Sequence, residues 1–235
     1  SGASGTFTDT GTNTTTVITN ADGIATTATF TANNQGGVYV VSASAIDLGS
    51  VDFSLQNIDW LVAPNGNDNN SCDTTIAPCL TINGAISKAA AGDTIRVASG
   101  MYVGVETEVA HISKSVTLSG GWNTNFLAQT GYSIIDGQSA RMGAVIDNSA
   151  HVTMDRFRIQ NGSSCSAGGI HVWGGDTTLV LTNSIITNNK TTCVGGAAGG
   201  ILNYGYTTIT NSTISNNTGS GINSSGGTFT LNTST

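Results

Sequence analysis

The chain has 235 residues, 9% of them charged, with 31 glycines and a net charge of −7. So few charges argue against a helical protein, and the apolar, β-branched content argues against disorder. An acidic balance with only 7 Lys and Arg argues against nucleic acid or an anionic membrane as partner, because phosphate binding needs a clustered basic surface. No run of about 20 apolar residues is present to span a membrane. No signal peptide opens the chain, but a mature or trimmed chain would lack one, so cytoplasm is not implied.

Residues 1–58 contain no Lys or Arg and carry Asp9, Asp22, Asp47 and Asp52. Alternation and Asn/Gly turns predict strands at Thr14–Thr19, Ile24–Ala32, Val38–Ala45 and Val51–Gln56. Gly36-Gly-Val-Tyr39 has the spacing of a tyrosine corner, in which the hydroxyl bonds nearby backbone; the alternative is a strand tyrosine with no special bond. The line Gly23-Ile-Ala, Phe30-Thr-Ala, Gly37-Val-Tyr-Val-Val and Phe53-Ser-Leu-Gln-Asn57 resembles the later strands of bacterial Ig-like repeats. That resemblance implies an Ig-like β-sandwich over 1–58, incomplete at its start.

Asn57-Ile-Asp59 marks the boundary, and Trp60-Leu-Val-Ala-Pro64 opens the second domain as a strand. Asn65–Cys79 is rich in oxygen ligands but lacks the spaced Asp series and distal Glu of a calcium loop. A turn stapled by Cys72 and Cys79 is the preferred expectation. Thr81–Ala91 is the one convincing helix: Ile82, Ala85, Ile86 and Ala89 form an apolar stripe, Thr81 is the N-cap and Gly92 the C-terminal stop. An amphipathic helix followed by Gly92-Asp-Thr-Ile-Arg-Val-Ala-Ser-Gly-Met-Tyr102 resembles the start of right-handed parallel β-helices of the pectin-lyase-like superfamily. The resemblance implies a helix that caps the first coil, covering its apolar cross-section and unpaired strand edges.

Beyond it the chain repeats itself. Leu179-Val-Leu-Thr-Asn-Ser-Ile-Ile-Thr-Asn-Asn189 superimposes on Thr207-Thr-Ile-Thr-Asn-Ser-Thr-Ile-Ser-Asn-Asn217 at an offset of 28, and a fainter copy lies at Val152–Gly162, offset 27. Each is followed by a glycine refrain: Gly168-Gly-Ile170, Gly199-Gly-Ile201 and Gly221-Ile222. Ile95/Val97 match Val116/Leu118 at 21, Val116/Leu118 match Val152/Met154 at 36, and Thr207/Ile209 match Phe229/Leu231 at 22. Self-similarity at such periods is the mark of a solenoid. A bare coil of 21 or 22 residues holds three short strands and three turns, and the longer offsets add loops. Ser115-Val-Thr-Leu-Ser-Gly-Gly-Trp122 and Ile135-Asp-Gly-Gln138 extend the pectin-lyase-like resemblance, and the Gly-Gly-Ile and Ile-x-x-Asn refrains resemble those of polymorphic outer-membrane proteins and other large bacterial surface β-helix proteins, over about 60–235. The likeness is specific for fold and weak for function.

Several constellations bear on function. Cys165 and Cys193 share the repeat offset of 28, so they occupy one loop position on successive coils, within disulfide reach. Free thiols or a four-cysteine zinc site are the alternatives, and no Cys-x-x-Cys or His spacing supports zinc. Two disulfides imply an oxidising, extracellular compartment. Asn161, Asn188 and Asn216 form a candidate structural ladder at one turn. Gly169-Ile-His-Val-Trp173 superimposes on Gly200-Ile-Leu-Asn-Tyr204; with Ile170 and Ile201 inward, Trp173 and Tyr204 point outward, either open to a sugar or neighbouring molecule or covered by the Cys-stapled loop. Asp136, Asp147, Asp155 and Asp176 show none of the pairings of β-helix pectin hydrolases, Arg156 and Arg158 read as outward strand residues, and His111, His151 and His171 read as surface or turn residues. No catalytic residue, metal site or cofactor is assigned.

Neither end of the sequence reads as a domain end, so the chain is expected to be a piece of a longer protein or the subunit of a homopolymer. In the second case Thr228–Thr235, with Phe229 and Leu231 alternating, is a donor strand for the next copy. The overall expectation is all-β: an Ig-like sandwich at 1–58, then a right-handed parallel β-helix at 59–235 with its helix cap at about 81–91 and an uncapped C-terminus. The expected role is non-enzymatic, extracellular and structural or adhesive on a bacterial surface, as stalk, adhesin or filament subunit, with surface polysaccharide as a partner. The alternatives are a polysaccharide-active lyase or glycoside hydrolase, and a carbohydrate-binding module.

Overall fold

A computed structural model describes residues 3–33, 37–57, 59–193, 195 and 197–235. The chain divides into two compact units, residues 1–59 and 60–235.

In the first unit, Gly5–Phe7 pairs antiparallel with Phe30–Ala32, and Gly37–Ala45 forms a hairpin with Gly49–Asn57. Phe30 holds the described parts together, with its ring 4.8 Å from Phe7 and 6.2 Å from Tyr39. Two expected strands are corrected. Thr14–Thr19 is not a strand, and Ile24–Ala32 shrinks to Phe30–Ala32. The cause is local side-chain bonding that competes with the ladder. Thr10 Oγ1 donates to Thr14 O at 2.8 Å, Thr15 Oγ1 donates to Asp9 Oδ2 at 2.6 Å, and Asn20 Oδ1 accepts from the amides of Asp22 and Ile24. The described residues thus form two antiparallel ribbons, without the two packed sheets of a sandwich. Gly36 of the expected tyrosine corner and Ile58 of the expected boundary lie outside the described residues.

In the second unit three parallel sheets stack around one core. The first has seven strands: Asp59–Val62, Thr94–Ala98, Val116–Trp122, His151–Asp155, Thr178–Thr182, Tyr206–Thr210 and Thr228–Asn232. The second has Gly100–Tyr102, Ser133–Asp136, Phe157–Gln160, Ile185–Thr187 and Thr213–Ser215. The third has Glu108–Ile112, Met142–Ile146, Ile170–Val172, Ala198–Asn203 and Ser220–Ser224. Each coil contributes one strand to each sheet, so strict alternation sends every second side chain inward. Ile95, Leu118, Met154, Leu181 and Ile209 thereby stack through the first sheet, and Ile135, Ile159, Ile186 and Ile214 through the second. Nearly all are fully buried, each contributing about 1.5–3 kcal/mol.

The registers Leu181 on Ile209, Ile186 on Ile214, Val152 on Val116 and Ile209 on Leu231 are those the repeats predict. One is corrected: Ile95 pairs with Leu118, an offset of 23 and not 21, and the strand bulges between Arg96 and Ala98. A slip of two residues preserves which face each side chain takes, so alternation alone does not detect it.

The first coil is closed by its own chain. The helix spans Ile82–Lys88, with Thr81 Oγ1 accepting from the Gly84 amide and Ile82, Ala85 and Ile86 buried on the core. It ends at Ala89, earlier than the expected stop at Gly92, because Lys114 Nζ donates to the carbonyls of Ile86, Ser87 and Ala89. That ammonium satisfies acceptors another helical turn would have used. The disulfide Cys72–Cys79 closes a loop whose backbone bonds Asp59–Val62: the Leu61 amide donates to Cys72 O, and the Cys79 amide to Leu61 O. The outer edge of the first sheet is consumed there.

Corners carry the polar work. Arg156, Asn183, Asn211 and Thr233 share a left-handed φ at one corner, and Asn161, Asn188 and Asn216 share it at the next. The expected ladder of Asn161, Asn188 and Asn216 is therefore corrected. These residues supply the left-handed turn, which asparagine tolerates, and the ladder lies one residue on. Asn189 Oδ1 accepts from the Gly162 amide at 2.8 Å, Asn217 Oδ1 accepts from the Asn189 amide at 3.0 Å, and their Nδ2 groups donate to Ile159 O and Ile186 O. A second ladder runs through Ser184, Ser212 and Ser234, each hydroxyl accepting from an amide of the preceding coil. Within the expected donor strand Thr228–Thr235, Thr228–Asn232 is the outermost rung of the first sheet, with Phe229 packed on the core and Leu231 47% exposed.

Candidate functional site

The outer face of the third sheet brings Trp173 and Tyr204 together with His171, His111 and Asp147. Ile170 and Val172 point into the core, so His171 and Trp173 point out; Ile201 and Asn203 point in, so Leu202 and Tyr204 point out. The rungs stay aligned past the strand ends, because the Trp173 amide donates to Ile146 O at 2.8 Å and the Tyr204 amide to Val172 O at 2.9 Å. Trp173 and Tyr204 meet edge-on, with ring centroids 5.9 Å apart, and the His171 ring fills the corner between them, 4.8 Å from Trp173 and 5.8 Å from Tyr204.

Exposure separates the three. Trp173 is 59% exposed and His171 only 4%. Tyr204 is half-buried against a small cluster of Met142, Ala167, Ala198 and Leu202. The sequence left open whether the loops joined by Cys165–Cys193 cover both aromatics. They do not cover both, because the Trp173 indole is open. Thr177 Oγ1 donates to Trp173 O at 2.7 Å, fixing the turn that follows. Burial pushes the His171 pKa below its ordinary value, so the ring is neutral at physiological pH. Its Nε2 is buried with no hydrogen-bond partner among the described residues.

Alternation alone does not bring His111 to this face, but the register does. His111, Val145, His171 and Leu202 form one outward file across neighbouring strands. His111 Nε2 lies 2.9 Å from Asp147 Oδ2 and its Nδ1 lies 3.3 Å from Glu108 Oε1. Asp147 follows Ile146 as Trp173 follows Val172, and its Oδ1 is buried without a partner among the described residues. The sequence treated the histidines as scattered because the file has unequal spacings of 34, 26 and 31 residues.

The other candidates stand apart. His151 is on the first sheet, with Nδ1 2.9 Å from Thr178 Oγ1. Asp136 is buried and accepts from the Gln138 amide, Gln160 and Asn161. Asp155 accepts from Thr182 Oγ1 and Asn183 Nδ2 and lies 3.8 Å from Arg156 Nε. Arg158 lies on a strand as expected, whereas Arg156 is corrected to a corner residue with φ 59°. Among the described residues no group of three or more His, Cys, Asp or Glu is arranged to hold a metal, and no helix is long and apolar enough to cross a membrane.

No curated protein matches the chain. Among solved structures, a rhamnogalacturonan lyase aligns at 16% identity and a TM-score of 0.40, over 75% of this chain and 51% of its own. The chain thus spans about half the length of that enzyme. A family model described as "Right handed beta helix region" matches residues 123–235, and the fold of the second unit is accordingly a right-handed parallel β-helix.

Proposed function

We propose that this chain is a non-enzymatic, extracellular structural or adhesive protein of a bacterial surface, and that its adhesive contact is the Trp173 face of the third sheet. The observation that carries the reading is the exposed indole, braced edge-on by His171 and Tyr204 and standing on a hydrogen-bonded parallel sheet. An exposed indole combines a broad apolar face with a polar N–H, and stacks on the C–H face of a sugar ring at little cost in side-chain entropy. Two disulfides support an oxidising compartment. Asp136 and Asp155, which hold several hydrogen bonds each, serve the coil corners, and this supports a role without hydrolysis. The test is a glycan-array screen of the whole chain beside Trp173→Ala. Retention on glycans that Trp173→Ala abolishes supports the reading, and equal behaviour of the two proteins refutes it.

A second reading has its own observation. His111 and Asp147 form a 2.9 Å pair beside this face, the kind of arrangement a proton-transferring group needs. A polysaccharide-active enzyme would release reducing ends from a bound glycan, and His111→Ala would stop it. Intact glycan after long incubation counts against that alternative.

A further inference from the structure

Resting on the reading of the Trp173 face as a sugar platform, we infer that its ligand is a glycan free of carboxylate groups. The charges around the indole carry the argument. Asp147 occupies the position one coil below Trp173, and Asp176 is exposed in the turn after it, three residues along the chain. Glu108 lies beyond, against His111.

Positive charge is scarce on the same side. His171, the nearest imidazole, is buried and neutral. His111 is flanked by two carboxylates, Glu108 at 3.3 Å and Asp147 at 2.9 Å. Arg141 precedes the opposite end of the Met142–Ile146 strand, where its guanidinium meets Gln138 at 3.3 Å. Lys190 is on the exposed short strand Lys190–Thr191 near the stapled loops. Among the described residues Asp147 Oδ1 has no donor, and His111 is the one basic group paired with that carboxylate.

A uronate ring stacked on Trp173 would bring its carboxylate into this field within a Debye length of about 8 Å, with no guanidinium or ammonium to receive it. A neutral sugar presents hydroxyl donors instead, which complement a negative potential. Indole stacking is indifferent to ligand charge, so the two contributions separate experimentally.

The experiment measures affinities of the whole chain for neutral oligosaccharides and for oligogalacturonates of matched length, at low and high salt. The expected result is binding of a neutral glycan, with the uronate weaker by about tenfold at low salt, the factor that one screened like-charge contact supplies. High salt narrows the gap. Asp147→Asn narrows it as well, and Asp176→Asn, at an exposed turn residue, repeats the test where folding is not at stake. Uronate binding as tight as neutral binding, and lost in Trp173→Ala, overturns the inference and leaves the platform standing. Failure of every glycan, neutral or acidic, to bind in a Trp173-dependent way overturns the platform and the inference together.

Discussion

Asn189→Ala tests where the coil corners draw their stability. Asn189 is fully buried, and its side chain accepts from the Gly162 amide at 2.8 Å and donates to Ile159 O at 3.0 Å and to Asn217 Oδ1 at 3.1 Å. Alanine leaves the Gly162 amide without its acceptor and Ile159 O without this donor. At about 1–3 kcal/mol for each orphaned buried group, the expected loss is about 2–6 kcal/mol. The neighbouring Asn188→Ala is the control. Asn188 is exposed with φ 57°, so alanine there costs only the left-handed backbone preference, about 1–2 kcal/mol. Global unfolding of a solenoid need not be two-state, so denaturation should be paired with hydrogen exchange of the Gly162 amide. Asn189→Ala should accelerate that exchange and Asn188→Ala should not. If the two variants cost the same, or Gly162 exchanges equally slowly in both, the ladder is not at Asn189.

Replacing Arg156 by Asn, which matches Asn183 and Asn211 at the same corner, should raise stability by about 1 kcal/mol in urea denaturation, since the left-handed position favours Asn and the exposed Asp155 contact contributes little. Paired Cys→Ala substitutions should destabilise by about 2.4 kcal/mol for Cys72–Cys79 and about 3.6 kcal/mol for Cys165–Cys193 on the chain-entropy relation, because the separations are 7 and 28 residues; the order of the two midpoints is the check. His171 is held below 6.5 by burial, so the unfolded chain takes up its proton first as pH falls. Its contribution is intact above about 6.5 and lost on acidification toward the lowered folded value, and His171→Phe should remove that part of the pH dependence of unfolding. Tyr102 is shifted the other way: burial raises its pKa, and its hydroxyl donates to Ala98 O at 2.8 Å. The unfolded chain therefore ionises first, and stability should fall above about pH 10, less so in Tyr102→Phe.

The β-helix was legible because one pattern is written on several coils: apolar alternation fixes which side chains are inward, and the 28-residue repeat fixes which rungs meet. What alternation leaves free is a shift by two, and there Ile95 pairs with Leu118 and not with Val116. The ladder lies one residue beyond the place the repeat suggests because Asn188-Asn189 and Asn216-Asn217 are doublets with divided tasks, the first residue supplying the turn and the second the hydrogen bonds. The earliest coil reads Asn161-Gly162, where the second position has no side chain to reveal the pattern. The grouping of His111, Asp147, His171 and Trp173 was hidden because loops of different lengths destroy any constant spacing along that file. In residues 1–59, propensity suggested strands where Asp9, Asn20 and their threonine neighbours bond locally.

The parallel ladders also determine how the coil stack would respond to tension. Hydrogen bonds between coils run along the stack's axis, while the covalent chain winds around it. A pull along that axis loads the ladders directly, and a coil that peels away releases far more length than it occupied. The bare coil from Ile209 to Leu231 is 22 residues long; extended at about 3.3–3.6 Å per residue it spans roughly 75 Å, against a rise of about 4.8 Å in the stack. Peeling one coil at a time would dissipate work with the remaining stack still folded. Cys165–Cys193 interrupts that process, because it ties successive coils across 28 residues and keeps their slack from paying out. Loss of that disulfide would turn a stop in the extension into another yielding coil.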